Sequence, residues 1–215
     1  MRWRAIVAAI STELFGEARA LPDFPSRPEL AGLGMSDDAC YATPLAKKLS
    51  YVNTFYDEEP HFDVMNPGPE HLGRYDFIVS SDVFEHVPPP PVRAFENARR
   101  MLRPGGVLIF SVPYRPDGDT EEHFPELFDF EIDRSGAAPV LRNRTRDGRA
   151  QTFSGLVFHG GPGATLEMRV FSRAGIDRCV REAGFRALEV YDRDQPEIGL
   201  LWRGVTWSHI MAART

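Results

Sequence analysis

The sequence predicts an α/β domain built on a mostly parallel sheet, and the stretch from Tyr75 to Tyr114 carries most of that prediction. Phe77–Val79 is an apolar run without Gly or Pro, ending at Ser80-Ser81-Asp82, as expected of a strand buried on both faces. After a run of prolines, Val92, Phe95, Ala98 and Leu102 fall on one face of a helix. Arg99, Arg100 and Arg103 sit toward its C-terminal end, where the helix dipole favours cations. Pro104-Gly105-Gly106 is expected to stop it, and Val107–Val112 forms a second apolar strand closed by Pro113. Strand, helix and strand with tight connections make a crossover whose two strands lie parallel.

Ligands in such sheets bind beyond the carboxyl ends of the strands. Those ends carry Ser80, Ser81, Asp82, Glu85 and His86 after the first strand, and Ser111, Pro113 and Tyr114 after the second. The wording YDFIVSSDVFEHV, then NARRMLRPGGVLIFSVP, resembles the strand 4–helix–strand 5 segment of class I S-adenosylmethionine-dependent methyltransferases. The C-terminal FSRAGIDRCVREAGF also resembles that family's last helix, so the likeness covers roughly residues 30–113 and 169–213. It implies a Rossmann-like α/β fold with a seven-stranded sheet, the last strand antiparallel, and S-adenosylmethionine as cofactor.

Length and composition fit one domain. The chain has 215 residues, enough to bury a sizeable core, with 42% hydrophobic and 26% charged residues. A net charge of −6 argues against a nucleic-acid substrate. Arg142, Arg144, Arg146 and Arg149 are interrupted by Asp147 and read as a solvated hairpin. The two cysteines, Cys40 and Cys179, lie far apart without metal-type spacing, which suits a reduced cytoplasm better than a disulfide scaffold. The apolar run AIVAAI is too short to span a membrane and lacks a cleavage pattern after it.

Taken in order, residues 3–15 read as a helix through Ile6, Ile10 and Leu14, and the Pro-rich stretch to residue 29 reads as a linker. LAGLGMSDD stands where the resembling family places its first strand and glycine-rich loop. Only Gly32 and Gly34 are present there, and a Gly-x-Gly of this kind is equally a simple turn. An alternative alignment makes GLGMS the second strand. YATPLAKKL then reads as a helix, Tyr51–Tyr56 as a strand and His61–Val64 as a short third strand. The family likeness implies a carboxylate for the ribose hydroxyls at the end of strand 2, with Asp57 or Glu58 as candidates. It implies Asp63 for the adenine amino group, with Val64 beside it and Ser80, Ser81 and Val83 at the mouth of strand 4. The rival reading of Asp57 and Glu58 is an exposed acidic turn.

Residues 115–168 read as an insertion after strand 5, with a β-hairpin across Asp147-Gly148, expected to wall the acceptor pocket. Gly160-Gly161-Pro162-Gly163 within it is a candidate special turn or hinge. Ser172 should cap a helix carrying Ile176, Cys179 and Val180, and Ala187–Tyr191 and Val205–Ala212 should be the last strands. For chemistry, His86 and His123 are the candidate bases, with His159 a third, and each has a structural-histidine alternative. Asp82-x-x-Glu85-His86 resembles the metal motif of ubiquinone-type O-methyltransferases with Asp in place of Glu, and no metal is expected. The expected function is methyl transfer to a small-molecule or saccharide acceptor. The rivals are a non-catalytic methyltransferase-fold partner and a nicotinamide oxidoreductase, whose Gly-x-Gly-x-x-Gly is absent.

Overall fold

A computed structural model of the chain describes residues 2–159, 165–202, 204 and 207–215. Helices and strands alternate along the first half: α1 (Arg2–Phe15), β1 (Arg27–Met35), α2 (Ala39–Ala46), β2 (Leu49–Thr54), β3 (Tyr75–Ser81), α3 (Val92–Met101) and β4 (Leu102–Ser111). Short strands follow: β5 (Tyr114–Arg115), β6 (Glu121–Glu122), β7 (Asp129–Asp133), β8 (Val140–Arg144), β9 (Ala150–Phe153), β10 (Phe158–His159), β11 (Thr165–Leu166) and β12 (Arg169–Ser172). The chain closes with α4 (Arg173–Glu182), β13 (Ala187–Tyr191) and β14 (Ile210–Arg214).

The central sheet runs β13-β14-β4-β3-β1-β2, and β14 is antiparallel to both neighbours while the other pairs are parallel. β3 and β4 pair through Phe77↔Val107, Ile78↔Leu108 and Val79↔Ile109, so the predicted crossover is present. Pleating sends alternate side chains to opposite faces. Phe77, Val79, Val107 and Ile109 pack with Ile6, Ile10, Tyr41 and Leu45 from α1 and α2. Ile78, Leu108 and Phe110 pack with Phe95, Ala98, Ile176 and Val180 from α3 and α4. Ser172 caps α4 by accepting from Gly175 N at 3.0 Å, and Cys179 lies on its buried face.

Several boundaries differ from expectation. Among the described residues the sheet has six strands, because His61–Val64 is reduced to one bridge between Phe55 and His61. The bridge's own two bonds are Phe55 N to Pro60 O (3.0 Å) and Phe62 N to Phe55 O (2.7 Å), and it goes no further because Met65 N turns to the Asp63 carboxylate (2.8 Å). The linker ends earlier than residue 29, since β1 begins at Arg27 and is irregular between Arg27 and Ala31, around Pro28. α3 stops at Met101, before Pro104, and β4 absorbs Pro104-Gly105-Gly106. The expected start of the last strand at Val205 lies outside the described residues, as does Gly160-Gly161-Pro162-Gly163.

The two glycines predicted for a cofactor loop lie inside β1. Gly32 and Gly34 pair with Phe77 and Val79, and β1 lies between β3 and β2, so it is the first strand of the fold. A Cβ on Gly32 would run into the Phe77 ring, and one on Gly34 would meet the Tyr51 hydroxyl and the Asp37 carboxyl. Their role is clearance. Gly34 leaves room for Asp37, which is 4% exposed and accepts from the Tyr51 hydroxyl beneath the Ser36-Asp37-Asp38 loop. Burial pushes the Asp37 carboxyl up to about 7 from an ordinary 3.8, outweighing the hydrogen bonds that favour its charged form.

Beyond β4, β7, β8 and β9 form an antiparallel three-stranded sheet, with Gly148 at positive φ in the β8–β9 turn. Phe124, Leu141, Leu166 and Met168 build a small separate core there. β12 joins this region to the main body by pairing with β5 and β6. Its Arg169 is fully buried and donates to the carbonyls of Val87 (2.7 Å) and Phe84 (3.2 Å) and to the Glu122 carboxylate (2.7 Å).

Three outcomes are expected. Gly34→Ala should lower stability by about 1–3 kcal/mol, the cost of overpacking a tight site, read from the denaturant midpoint. The Asp37 carboxyl is raised in the fold, so its contribution is full below its unfolded ionisation near 3.8 and is lost as pH rises through about 7. Chemical denaturation between those limits should therefore show stability falling with rising pH by an amount on the order of 4 kcal/mol, and Asp37→Asn should flatten that slope. Arg169→Met should cost on the order of 3 kcal/mol, because two buried carbonyls lose their donor. An unchanged midpoint in that variant would show that the buried guanidinium does not hold the insertion.

Candidate active site

A cavity of about 520 Å³ opens at the carboxyl ends of β1, β2 and β3. Its first wall is Met35 and Ser36 after β1, Thr54 and Phe55 at the end of β2, and the loop from Phe62 to Asn66. Its second wall is Val83, His86 and Val87 after β3. The segment after β4 closes it with Phe130 and Ile132 of β7, Thr165 and Leu166 of β11, and Met168.

The first wall is held by side chains that bond to backbone. Asp63 accepts from Met65 N (2.8 Å) and Asn66 Nδ2 (2.7 Å), which turns the chain into the cavity. A carboxylate has about four lone-pair sites, so capacity remains for a ligand donor. Asn97 of α3 donates to the carbonyls of Val64 (2.9 Å) and Met65 (3.2 Å), fixing that loop to the helix. Ser36 adopts positive φ where the chain leaves β1, and Asp38 then caps α2 by accepting from Cys40 N at 2.8 Å.

On the second wall, Phe84–His86 is a single helical turn. His86 Nδ1 lies 3.0 Å from the Leu166 carbonyl, which only accepts, so Nδ1 carries the hydrogen and Nε2 the lone pair. Glu85 is fully buried, and its Oε1 is 3.8 Å from His86 Nε2. Burial drives both groups to their neutral forms. It pushes the Glu85 carboxyl well up, helped by the nearby Asp82 charge, and pushes the His86 imidazole down. The contact is therefore between a neutral acid and a neutral base rather than an ion pair.

Asp82 faces elsewhere. It pairs with Arg2 of α1 and accepts from Ser111 Oγ at 2.9 Å, while Arg2 also donates to Ser208 Oγ at 2.9 Å. Among the described residues no group of three or more His, Cys, Asp or Glu stands in metal-ligating geometry.

The insertion brings two more histidines to this wall. Glu167 reaches His123 Nε2 with one oxygen (2.8 Å) and His159 Nε2 with the other (3.3 Å). The His159 and His86 rings meet edge to face, with centroids 5.6 Å apart.

Of the predicted site residues, Asp63, Val64, Val83 and His86 line the cavity, and His123 stands behind it through Glu167. Gly32 and Gly34 do not line it, for the packing reason given above. Ser80 is buried within the sheet, and Ser81 Oγ turns to Ser111 Oγ at 3.2 Å. Asp57 and Glu58 lie in an exposed turn, because β2 ends at Thr54 rather than Tyr56. Thr54, Phe55 and Tyr56 take the place at the strand's carboxyl end. Sequence reading missed Ser36, although an apolar strand followed by Ser-Asp-Asp and a helix is a capping signal. It also missed Glu167, for which no local pattern exists.

The geometry agrees with what comparison with known proteins shows. The fold is similar to a 1,6-didemethyltoxoflavin-N1-methyltransferase from Burkholderia thailandensis, solved with its substrate and S-adenosylhomocysteine (TM-score 0.51, 16% identity, 98% of this chain and 78% of that one). It is similar to an S-adenosylmethionine-dependent methyltransferase from Clostridium acetobutylicum (TM-score 0.54, 12% identity, 99% and 90%). It is also similar to an amino pentose methyltransferase from Micromonospora echinaspora with S-adenosylmethionine bound (TM-score 0.50, 14% identity, 100% and 92%). No curated protein sequence matches the chain. Residues 38–190, well over half of the chain, match the family model described as a methyltransferase domain, and the chain belongs to that family.

Proposed function

We propose that the protein transfers a methyl group from S-adenosylmethionine to a small-molecule acceptor, with a saccharide among the candidates. The observation that carries this is the cavity itself: about 520 Å³ at the strand ends, with Asp63 on one wall and His86 on the other. That volume lies in the range of small-molecule sites, which are mostly apolar with a few convergent polar groups. Family membership and neighbours solved with the methyl donor or its product support the choice of cofactor.

The residues present fit such a group. Met35, Phe62, Val64 and Val83 offer apolar surface for a purine, and Asp63 has acceptor capacity for its amino group. Ser36 and Thr54 offer polar contacts near a ribose, the part that Asp57 was expected to play. When bound, the cofactor supplies a methyl carbon on a cationic sulfur, so the protein's task is alignment. His86, with its lone pair on Nε2, would take a proton from an acceptor that has one to lose, and His123 would support it through Glu167. Phe130, Ile132 and Met168 would form the acceptor's apolar wall. The rival, a non-catalytic partner protein, draws on the position of Gly32 and Gly34 inside a strand instead of a cofactor loop.

Calorimetry with S-adenosylhomocysteine separates the two. Binding is expected, and Asp63→Ala should weaken it by roughly 1–3 kcal/mol while Asp57→Ala leaves it unchanged. Absence of both heat and thermal shift with S-adenosylmethionine and S-adenosylhomocysteine would establish the non-catalytic reading.

A further inference from the structure

The central sheet ends on an open strand. β2 pairs with β1 alone, and among the described residues only the bridge at Phe55 and His61 stands on its outer side. Arg27 N donates to Lys48 O and Ser36 N to Thr54 O, at 2.7 Å each, so the even-numbered residues from Lys48 to Thr54 turn their peptide groups to β1. Peptide groups alternate in direction along a strand, so Leu49, Tyr51 and Asn53 direct theirs outward. Phe55 does the same where it bonds with Pro60 and Phe62. No backbone group among the described residues pairs with those of Leu49, Tyr51 and Asn53.

Such an edge templates a further strand, and proteins commonly protect it with charge, proline or a bulge. β13, at the other end of the sheet, carries Glu189 in its middle. β2 reads LSYVNT, without a charge, and Val52 is 50% exposed. The charges lie beyond its ends and have opposite signs. Lys47 is exposed before it, while Lys48 is bonded to the carbonyls of Pro22 and Phe24. Asp57, Glu58 and Glu59 form the exposed turn after it.

We propose that β2 pairs with β2 of a second copy of this chain, antiparallel about a two-fold axis at Tyr51, joining two sheets into one. That register sets Tyr51 opposite the partner's Tyr51 and Leu49 opposite the partner's Asn53, so every outward N–H meets an outward carbonyl. Ser50 faces the partner's Val52, which covers the exposed valine. The antiparallel direction lays the Lys47 end of each strand beside the acidic turn of the other, whereas a parallel pairing would set like charges together. A strand of another protein would gain the same backbone bonds but would have to supply the matching charges. A second copy brings them by symmetry. None of these features depends on the methyl-transfer reading.

Sedimentation of the whole chain at high micromolar concentration should show a dimer that weakens as salt rises, because its charge contacts are exposed. Lys47→Glu should weaken it at low salt. Val52→Lys sets a cation near its symmetry mate and should raise the dissociation constant on the order of tenfold. Register is read with cysteines in a Cys40→Ser background. Directly opposite residues of an antiparallel pair lie within disulfide reach, and residues displaced by two along the strand do not. Chains carrying Ser50→Cys and chains carrying Val52→Cys, mixed, left to exchange and mildly oxidised, should give a covalent dimer on a non-reducing gel, and neither variant alone should. Four outcomes would each overturn the proposal. They are a chain that stays monomeric, a dimer indifferent to salt and to Lys47→Glu, a dimer unaffected by Val52→Lys, and a mixture that cross-links no better than either cysteine variant alone.

Discussion

The arrangement of the site depends on one buried cation. Arg169 has no exposed surface, and the cost of removing its guanidinium from water is offset by bonds from Nε and Nη1, while Nη2 is buried with no partner among the described residues. Two of its bonds go to the backbone carbonyls of Phe84 and Val87, which bracket the turn holding Glu85 and His86, and a third goes to Glu122 on β6. The planar fork of an arginine suits this bridging role, since its donors diverge at fixed angles. Without it, the carbonyls at either end of that turn would lose their buried donor, and the turn would be held to the chain entering β12 only through Leu166 and Met168. The His86 side of the cavity is therefore positioned by the segment after β4, although it follows a strand of the central sheet.

The opposite wall has a different origin. Asp63, Met65 and Asn66 form a turn closed by local bonds, and Asn97 clamps it to α3. α3 packs directly on the central sheet through Phe95 and Ala98, both without exposed surface. The Asp63 wall thus inherits the rigidity of the main core, whereas the wall of Leu166 and Met168 inherits that of the small core they form with Phe124 and Leu141. Side chains in that satellite core can change without disturbing the strand ends that would hold the cofactor.

What the sequence disclosed follows from range. The β3–α3–β4 unit was legible because its apolar runs, proline punctuation and basic helix end are all local, and each pointed to the same crossover. Asp63 and Val64 were placed through the family likeness, Val83 and His86 through their position after a strand, and all four line the cavity. Gly32 and Gly34 lie within β1, and a glycine that frees the backbone and a glycine that clears a neighbour's side chain look alike in sequence. Only the position of Phe77 and Tyr51 across the strand tells them apart. The third strand is cut to a single bridge at Phe55 and His61, because beyond Phe62 the chain turns on the bond from Met65 N to the Asp63 carboxylate.

The contact of His86 with Leu166 lies at the other extreme, joining residues 80 positions apart with no repeat or motif to link them. Their approach needs β3 to end where it does, the Phe84–His86 turn to follow, and β11 and β12 to return across it. The backbone bond from Met168 N to the Glu85 carbonyl and the contact of His86 Nδ1 with the Leu166 carbonyl then leave Glu167 one registry position. Between two backbone anchors, a side chain has little freedom of direction, and here it points to the histidines. A functional group held in this way needs no sequence signature, because its orientation is fixed by its neighbours' peptide bonds rather than by its own identity. That is the physical reason a motif-based reading finds His86 and not Glu167 in the segment that faces it.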